Sequence, residues 1–338
     1  MLLMLLISFM SCQERKEFTE IDTNHGLLAV GFEQPYAPTR ADASTLAALP
    51  AGVRFKVYVY DQAAPVTATT SSLAEGEYRV SADGTRIEAI SELKLYAGVY
   101  DFYFVSSNSG SAAPGVTGNT SRISGIANGA DFLYASMKNI GVRSTSAGGN
   151  TFTLTMSEPF RRMCSNIRVS VKAKAGTHPV TPTSLAVESV TVTGLSGERS
   201  FVMGQDALTP PAGYTASSVF AKTDFTVANA SDLTVPRTGS PRLVLPTDGS
   251  VPLEFDVKLQ VNYIKQGTST EKTGEVFPYR ITLSKPLLAG KSYEFAFTLT
   301  FFDHYMPGNL QLDVLPFIET PEPVSYTHLR AHETLSDL

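Results

Sequence analysis

Apolar residues in this chain recur at every second position, in short runs broken by glycine, proline and polar turns. Two runs are alike. Ala97-Gly98-Val99-Tyr100-Asp101-Phe102-Tyr103-Phe104 and Ala289-Gly290-Lys291-Ser292-Tyr293-Glu294-Phe295-Ala296-Phe297 each follow an Ala-Gly turn with aromatics two apart. Successive side chains of a strand point to opposite faces. Tyr100, Phe102 and Phe104 therefore share one face, as do Tyr293, Phe295 and Phe297. Burying one such side chain contributes roughly 1.5–3 kcal/mol, so each row can nucleate a core. The repeat predicts two units of one kind.

The remaining alternation fits the same picture. Leu27 to Phe32 reads as a short strand, followed by a proline-bearing loop from Gln34 to Asp42. Val53, Phe55, Val57 and Val59 alternate with Arg54, Lys56, Tyr58 and Tyr60, which predicts a half-buried strand with one wet face. Asp83-Gly84 signals a tight hairpin. The Gly/Ser/Asn-rich stretch up to Gly129 reads as loop, and strands over Asp131–Ala135 and Thr151–Thr155 close the first half. Phe160 to Asn166 opens the second half and leads into Ile167, Val169 and Val171. Phe255, Val257, Leu259, Val261 and Tyr263 form the cleanest strand, and Leu310, Leu312 and Val314 the last. No stretch sustains helical spacing. The expectation is an all-β chain of two tandem antiparallel β-sandwich domains, residues 27–157 and 158–323.

Composition narrows the function. With 43% hydrophobic and only 17% charged residues, 25 Gly and 20 Pro, the chain is too apolar for disorder and too punctuated for long helices. A net charge of -5 with no cluster of Lys and Arg argues against a nucleic-acid surface. The two cysteines, Cys12 and Cys164, make no disulfide framework. Outside the last residues the histidines are His25, His178 and His304, each isolated, so no metal set forms. Gly194-Leu195-Ser196-Gly197 lacks the spacing of a nucleophile elbow, and no phosphate-cradling loop is present. No catalytic residue, metal or cofactor is expected.

Both ends carry signals. Met1 to Ser11 is apolar but shorter than the about 20 residues that span a bilayer, and it fits a secretory h-region. Phe9-Met10-Ser11-Cys12 resembles a relaxed bacterial lipobox, in which the cysteine becomes the lipidated first residue. Phe9 stands where Leu is usual, and no Lys or Arg precedes the apolar run, which leaves the true start open. The alternative for Cys12 is a buried structural thiol. This reading makes residues 1–12 a lipoprotein signal peptide and 13–26 a polar tether. At the other end, Val324 to Thr334 resembles a translated transposase adapter from sequencing libraries. Residues 324–338 are thus expected to be non-native, and the natural C-terminus to lie elsewhere.

Several segments together carry a family resemblance: the cysteine after the apolar leader, Asp83-Gly84 before the first aromatic row, "AGVYDFYFVSSN", "DFLYAS", "MCSNIRVSV", "PLLAGKSYEFAFTLTF" and "LDVLPF". In this order the chain resembles the fimbrillin-type lipoproteins of Bacteroidota, subunits of protease-assembled type V pili. The resemblance implies transthyretin-like sandwiches, export as a lipoprotein to the surface of the outer membrane, and assembly into a fimbria by strand exchange. It further implies an arginine-specific protease cutting after Arg40. The released strand would be Leu27, Leu28, Ala29, Val30, Gly31 and Phe32. Partners would be other fimbrial subunits, the outer membrane and the protease, with no nucleic acid. The competing expectation is a membrane-anchored binding module for a glycan or host protein that does not polymerise. A surface enzyme is disfavoured by the lack of motifs.

Overall fold

The computed structural model describes residues 27–33, 35–38, 46–144, 150–174, 180–265, 267–299, 308–316 and 322–324, the last two segments as backbone. Cys12, Arg40, the tether and residues 325–338 lie outside the described residues. Among those described, all regular structure is strand except for one 3-10 turn at Lys222–Asp224. No described helix is long and apolar enough to cross a membrane.

In the first half a six-stranded sheet runs in the order Arg161–Arg162, Leu133–Val142, Gly98–Ser106, Arg54–Asp61, Ala74–Val80, Ile87–Ser91. A three-stranded sheet, Thr151–Leu154, Leu28–Phe32 and Lys94–Leu95, belongs to the same half. Their apolar side chains form one core. Phe55, Val57 and Val59 alternate along one strand, Phe102 and Phe104 along the next, and all five are fully buried. The Asp83-Gly84 hairpin forms as the sequence predicts. Gly84 sits at φ +73°, and the Asp83 carboxylate accepts from Thr85 N–H.

The second half repeats the plan. One sheet carries Phe225–Thr226, Arg237–Gly239, Ser165–Ala173, Lys291–Leu299, Gly308–Pro316 and Glu322–Val324 in order, with Arg242–Val244 also paired to Ser165–Ala173. A four-stranded sheet carries Ala216–Ala221, Val180–Leu195, Leu253–Lys265 and Glu271–Leu283. Their shared core holds Ile167, Val169 and Val171, Phe255 to Val261 at alternate positions, and the second aromatic row. Among the described residues two pairings are parallel: Leu28–Phe32 with Thr151–Leu154, and Ser165–Ala173 with Lys291–Leu299. Both join strands distant in the chain, as a parallel pair requires a long crossover.

Two expectations fail, for one reason. The face expected to be wet is so only in part: Arg54 and Lys56 are half-buried, but Tyr58 is 0% and Tyr60 1% exposed. Together with Tyr103 and Tyr134 from neighbouring strands, Tyr58 and Tyr60 pack under Phe201, Met203 and Leu245 from the second half. The Tyr134 and Phe201 rings lie 4.5 Å apart. The stretch read as loop up to Gly129 contains a strand, Arg122–Ile126, which pairs with Arg199–Val202 of the second half and buries Ile123 and Ile126. A third core thus joins the halves. Cys164 lies in it, as a small hydrophobe would. Its thiol donates to the Ala130 carbonyl at 3.0 Å, and burial pushes its pKa up to about 11. Phe160, read as part of the opening of the second half, packs in the first core 6.2 Å from Phe55.

Candidate functional site

The strand Leu28–Phe32 is short, apolar on one face, and central in its sheet. Leu28, Val30 and Phe32 are 0%, 2% and 8% exposed, while Ala29 and Gly31 on the other face are half-buried. Leu27, expected within this strand, precedes it and is 45% exposed. On one side Leu28 and Ala29 pair antiparallel with Leu95 and Lys94. On the other, Ala29 to Phe32 run parallel to Thr151–Leu154. Phe32 meets Tyr78, Phe104 and Phe55 edge-on at 4.7, 5.6 and 6.0 Å. Three buried apolar side chains contribute on the order of 5–9 kcal/mol of burial free energy. That burial holds the strand down and describes the groove its departure would leave.

Tyr78 fastens the strand through its hydroxyl. The hydroxyl donates to the Val30 carbonyl at 2.8 Å and accepts from Leu93 N–H at 2.9 Å. Val30 N–H in turn donates to the Leu93 carbonyl at 2.9 Å. Gly76, two residues earlier, makes the room. A Cβ there would stand 2.9 Å from the Leu93 Cβ and from the Tyr78 ring, and 3.0 Å from the Ser91 carbonyl oxygen. Neither residue stands out in the sequence. Their only signal is a glycine and an aromatic two apart on one strand face. Burial pushes the Tyr78 phenol up to about 12. A group whose folded-state pKa is raised holds its full contribution below the unfolded value and loses it as pH climbs toward the folded one. Tyr78→Phe should cost about 1–3 kcal/mol by leaving buried backbone groups without a partner. It should also flatten part of the loss of stability between roughly pH 10 and 12. Denaturant melts across that range check both effects. A variant as stable as wild type would mean that the hydroxyl is dispensable.

The segment after the strand departs from the loop expected of it. Tyr36–Pro38 forms a short strand paired antiparallel with Leu46–Ala48. Ala37 is buried, Tyr36 is 51% exposed, and Phe160 N–H donates to the Tyr36 carbonyl at 2.8 Å. Proline is tolerated here because the short pair is an edge. In sequence Arg40 falls between these two strands, so a piece ending at Arg40 would carry both Leu28–Phe32 and Tyr36–Pro38. Among the described residues no three of His, Cys, Asp and Glu are grouped to hold a metal ion.

Solved structures share this fold. A fimbrial protein from Bacteroides vulgatus superposes with a TM-score of 0.55 at 10% identity, covering 86% of this chain and 99% of that one. A candidate cell adhesion protein from Bacteroides fragilis gives 0.51 at 17% identity, covering 89% and 99%. Another from Parabacteroides distasonis gives 0.50 at 12%, covering 89% and 98%. No curated protein matches the sequence. The family model described as fimbrillin-like matches residues 39–312, most of the chain. The chain belongs to the fimbrillin-like family.

Proposed function

We propose that this protein is a non-catalytic subunit of a cell-surface fimbria serving adhesion. It is exported as a lipoprotein through Cys12 and assembled by replacing its first strand with a strand from a neighbouring subunit. The observation that carries the reading is the burial of Leu28, Val30 and Phe32 in the first core, on a strand held between two others, in a chain of this family. Removing such a strand uncovers an apolar groove flanked by the unpaired backbone of Lys94–Leu95 and Thr151–Leu154. An incoming segment can pair with both flanks and seat alternate side chains in the vacated pockets. The groove favours a bulky residue, a β-branched residue and an aromatic two apart, with small residues between.

Cleavage after Arg40 by an arginine-specific protease is the proposed trigger. Because the released piece also holds Tyr36–Pro38, cutting alone leaves two strands docked, and an incoming strand must displace both. Digestion of wild type with such a protease, followed by mass spectrometry and size-exclusion chromatography, should release a fragment ending at Arg40 and yield oligomer ladders. Arg40→Ala should stay monomeric. Excess synthetic peptide spanning residues 27–32 should suppress the ladders. Assembly that ignores both the variant and the peptide would leave the non-polymerising binding module as the better reading. The anchor is tested separately: metabolic labelling with a lipid analogue should mark wild type and miss Cys12→Ser, and equal labelling would remove Cys12 from the role.

A further inference from the structure

The strand Arg54–Asp61 works on both faces. Phe55, Val57 and Val59 point into the core under the first strand. Lys56 and Tyr58, on the opposite face, line a cavity of about 410 Å³ between residues 71–75 and 115–120. The volume lies in the range of small-molecule sites, roughly 300–1,000 Å³. The cavity is bonded into shape. The Tyr58 hydroxyl accepts from Val116 N–H at 3.2 Å and lies 3.4 Å from the Pro114 carbonyl. Ser71 Oγ donates to the Asn119 carbonyl at 2.9 Å, and Ser121 Oγ to the Thr67 carbonyl at 2.5 Å. These bonds tie one wall to the floor and the two walls to each other, so little ordering is left for a ligand to impose.

Part of what the walls offer is unspent. Arg54 is paired with Glu77 at 2.8 Å. Among the described residues, however, Lys56 and Glu75 carry no ion pair, and the side chains of Ser72 and Asn119 no hydrogen bond. Such pockets are usually mostly apolar. Here the aliphatic lining reduces to Val116, and the rest is hydroxyl, amide, glycine backbone and one charge of each sign. That set rejects an apolar ligand and suits one covered in hydroxyls.

We propose that this cavity binds an acidic saccharide, its carboxylate on the Lys56 ammonium and its hydroxyls on Glu75, Ser72 and Asn119. A zwitterionic amino acid would engage both charges but leave the hydroxyl and amide groups of the walls without partners. The cavity lies on the sheet face away from the first-strand groove, so binding does not depend on strand release. Its repetition along a polymer, with the avidity that follows, rests on the proposed assembly.

The test uses uncleaved protein, so its outcome is separable from that of the Arg40 experiment. Saturation-transfer NMR would compare D-glucuronic acid, D-galacturonic acid and N-acetylneuraminic acid with D-glucose, D-galactose and N-acetylmannosamine, and with L-alanine. At least one acidic sugar should bind saturably, its neutral counterpart about tenfold more weakly, as expected for loss of a charge-assisted hydrogen bond. Lys56→Met should erase the preference for the acid, and Glu75→Gln should weaken sugar binding severalfold, both with unchanged melting temperature. The assignment is overturned if no acidic sugar binds at millimolar concentration, if neutral and acidic sugars bind alike, if L-alanine displaces the sugar, or if Lys56→Met binds as wild type does.

Discussion

Arg162→Met should destabilise the protein by about 3–5 kcal/mol, because it leaves a buried carboxylate without its cation. The Arg162 and Asp131 side chains are 0% and 1% exposed. Arg162 Nε donates to Asp131 Oδ1 at 2.5 Å and an Nη to Oδ2 at 3.1 Å. Asn108 Nδ2 adds a third bond, to Oδ2, at 2.8 Å. Two charges taken out of water are tolerable only together. Removing one exposes the other to a desolvation cost that nothing offsets, whereas replacing both with apolar groups is often neutral or better. Asp131→Leu combined with Arg162→Met should therefore recover much of the loss in denaturant melts. The position gives the pair its importance. Arg162 ends the strand that pairs with Leu133–Val142 in the first half, and Ser165, three residues on, begins a strand of the second. The ion pair fixes the joint over which the third core closes. A variant that melts like wild type would show that the joint takes its rigidity from the aromatic packing alone.

Phe102→Ala and Phe295→Ala should each cost about 3–5 kcal/mol, from lost transfer free energy and the cavity left behind. Both rings are fully buried. Phe295 lies 4.6 Å from Phe255 across the second core, and Phe102 stacks with Phe104 at 6.4 Å in the first. Their backbones are paired on both sides, Phe102 between Val59 and Met137 and Phe295 between Val169 and Leu312, so the sheet cannot collapse into the gap. Lys258→Ala, exposed on the strand that carries Phe255, should stay within about 0.5 kcal/mol and serves as the control. Near-neutral melts for both phenylalanine variants would mean that the aromatic rows are not what holds the two cores.

A side-chain period of two is a local property, and it determined the class of structure and most inward-facing residues. Phe255 to Val261 and both aromatic rows, apart from the half-buried Tyr100, are buried where alternation places them. Asp83-Gly84 turns where it reads as a turn, because the glycine's freedom and the aspartate's local hydrogen bond need no distant partner. The first strand was legible for the same reason, as an apolar run bounded by polar residues. Its neighbours were not. That Leu28–Phe32 lies parallel to Thr151–Leu154, and is held by the Tyr78 hydroxyl, depends on where a distant segment returns. The outer face of Arg54–Asp61 shows the limit clearly. Lys56 and Tyr58 are neighbours on one polar-looking face and both border the cavity, yet Lys56 is only half-buried while Tyr58 is fully buried. The difference comes from Phe201, Met203 and Leu245, far along the chain, covering the tyrosines. Arg122–Ile126 became a strand for the same reason: two isoleucines among Ser and Gly carry too little local preference, and Arg199–Val202 supplies the partner that decides it. Alternation selects a face, but only the tertiary structure determines whether that face meets water or the other half of the molecule.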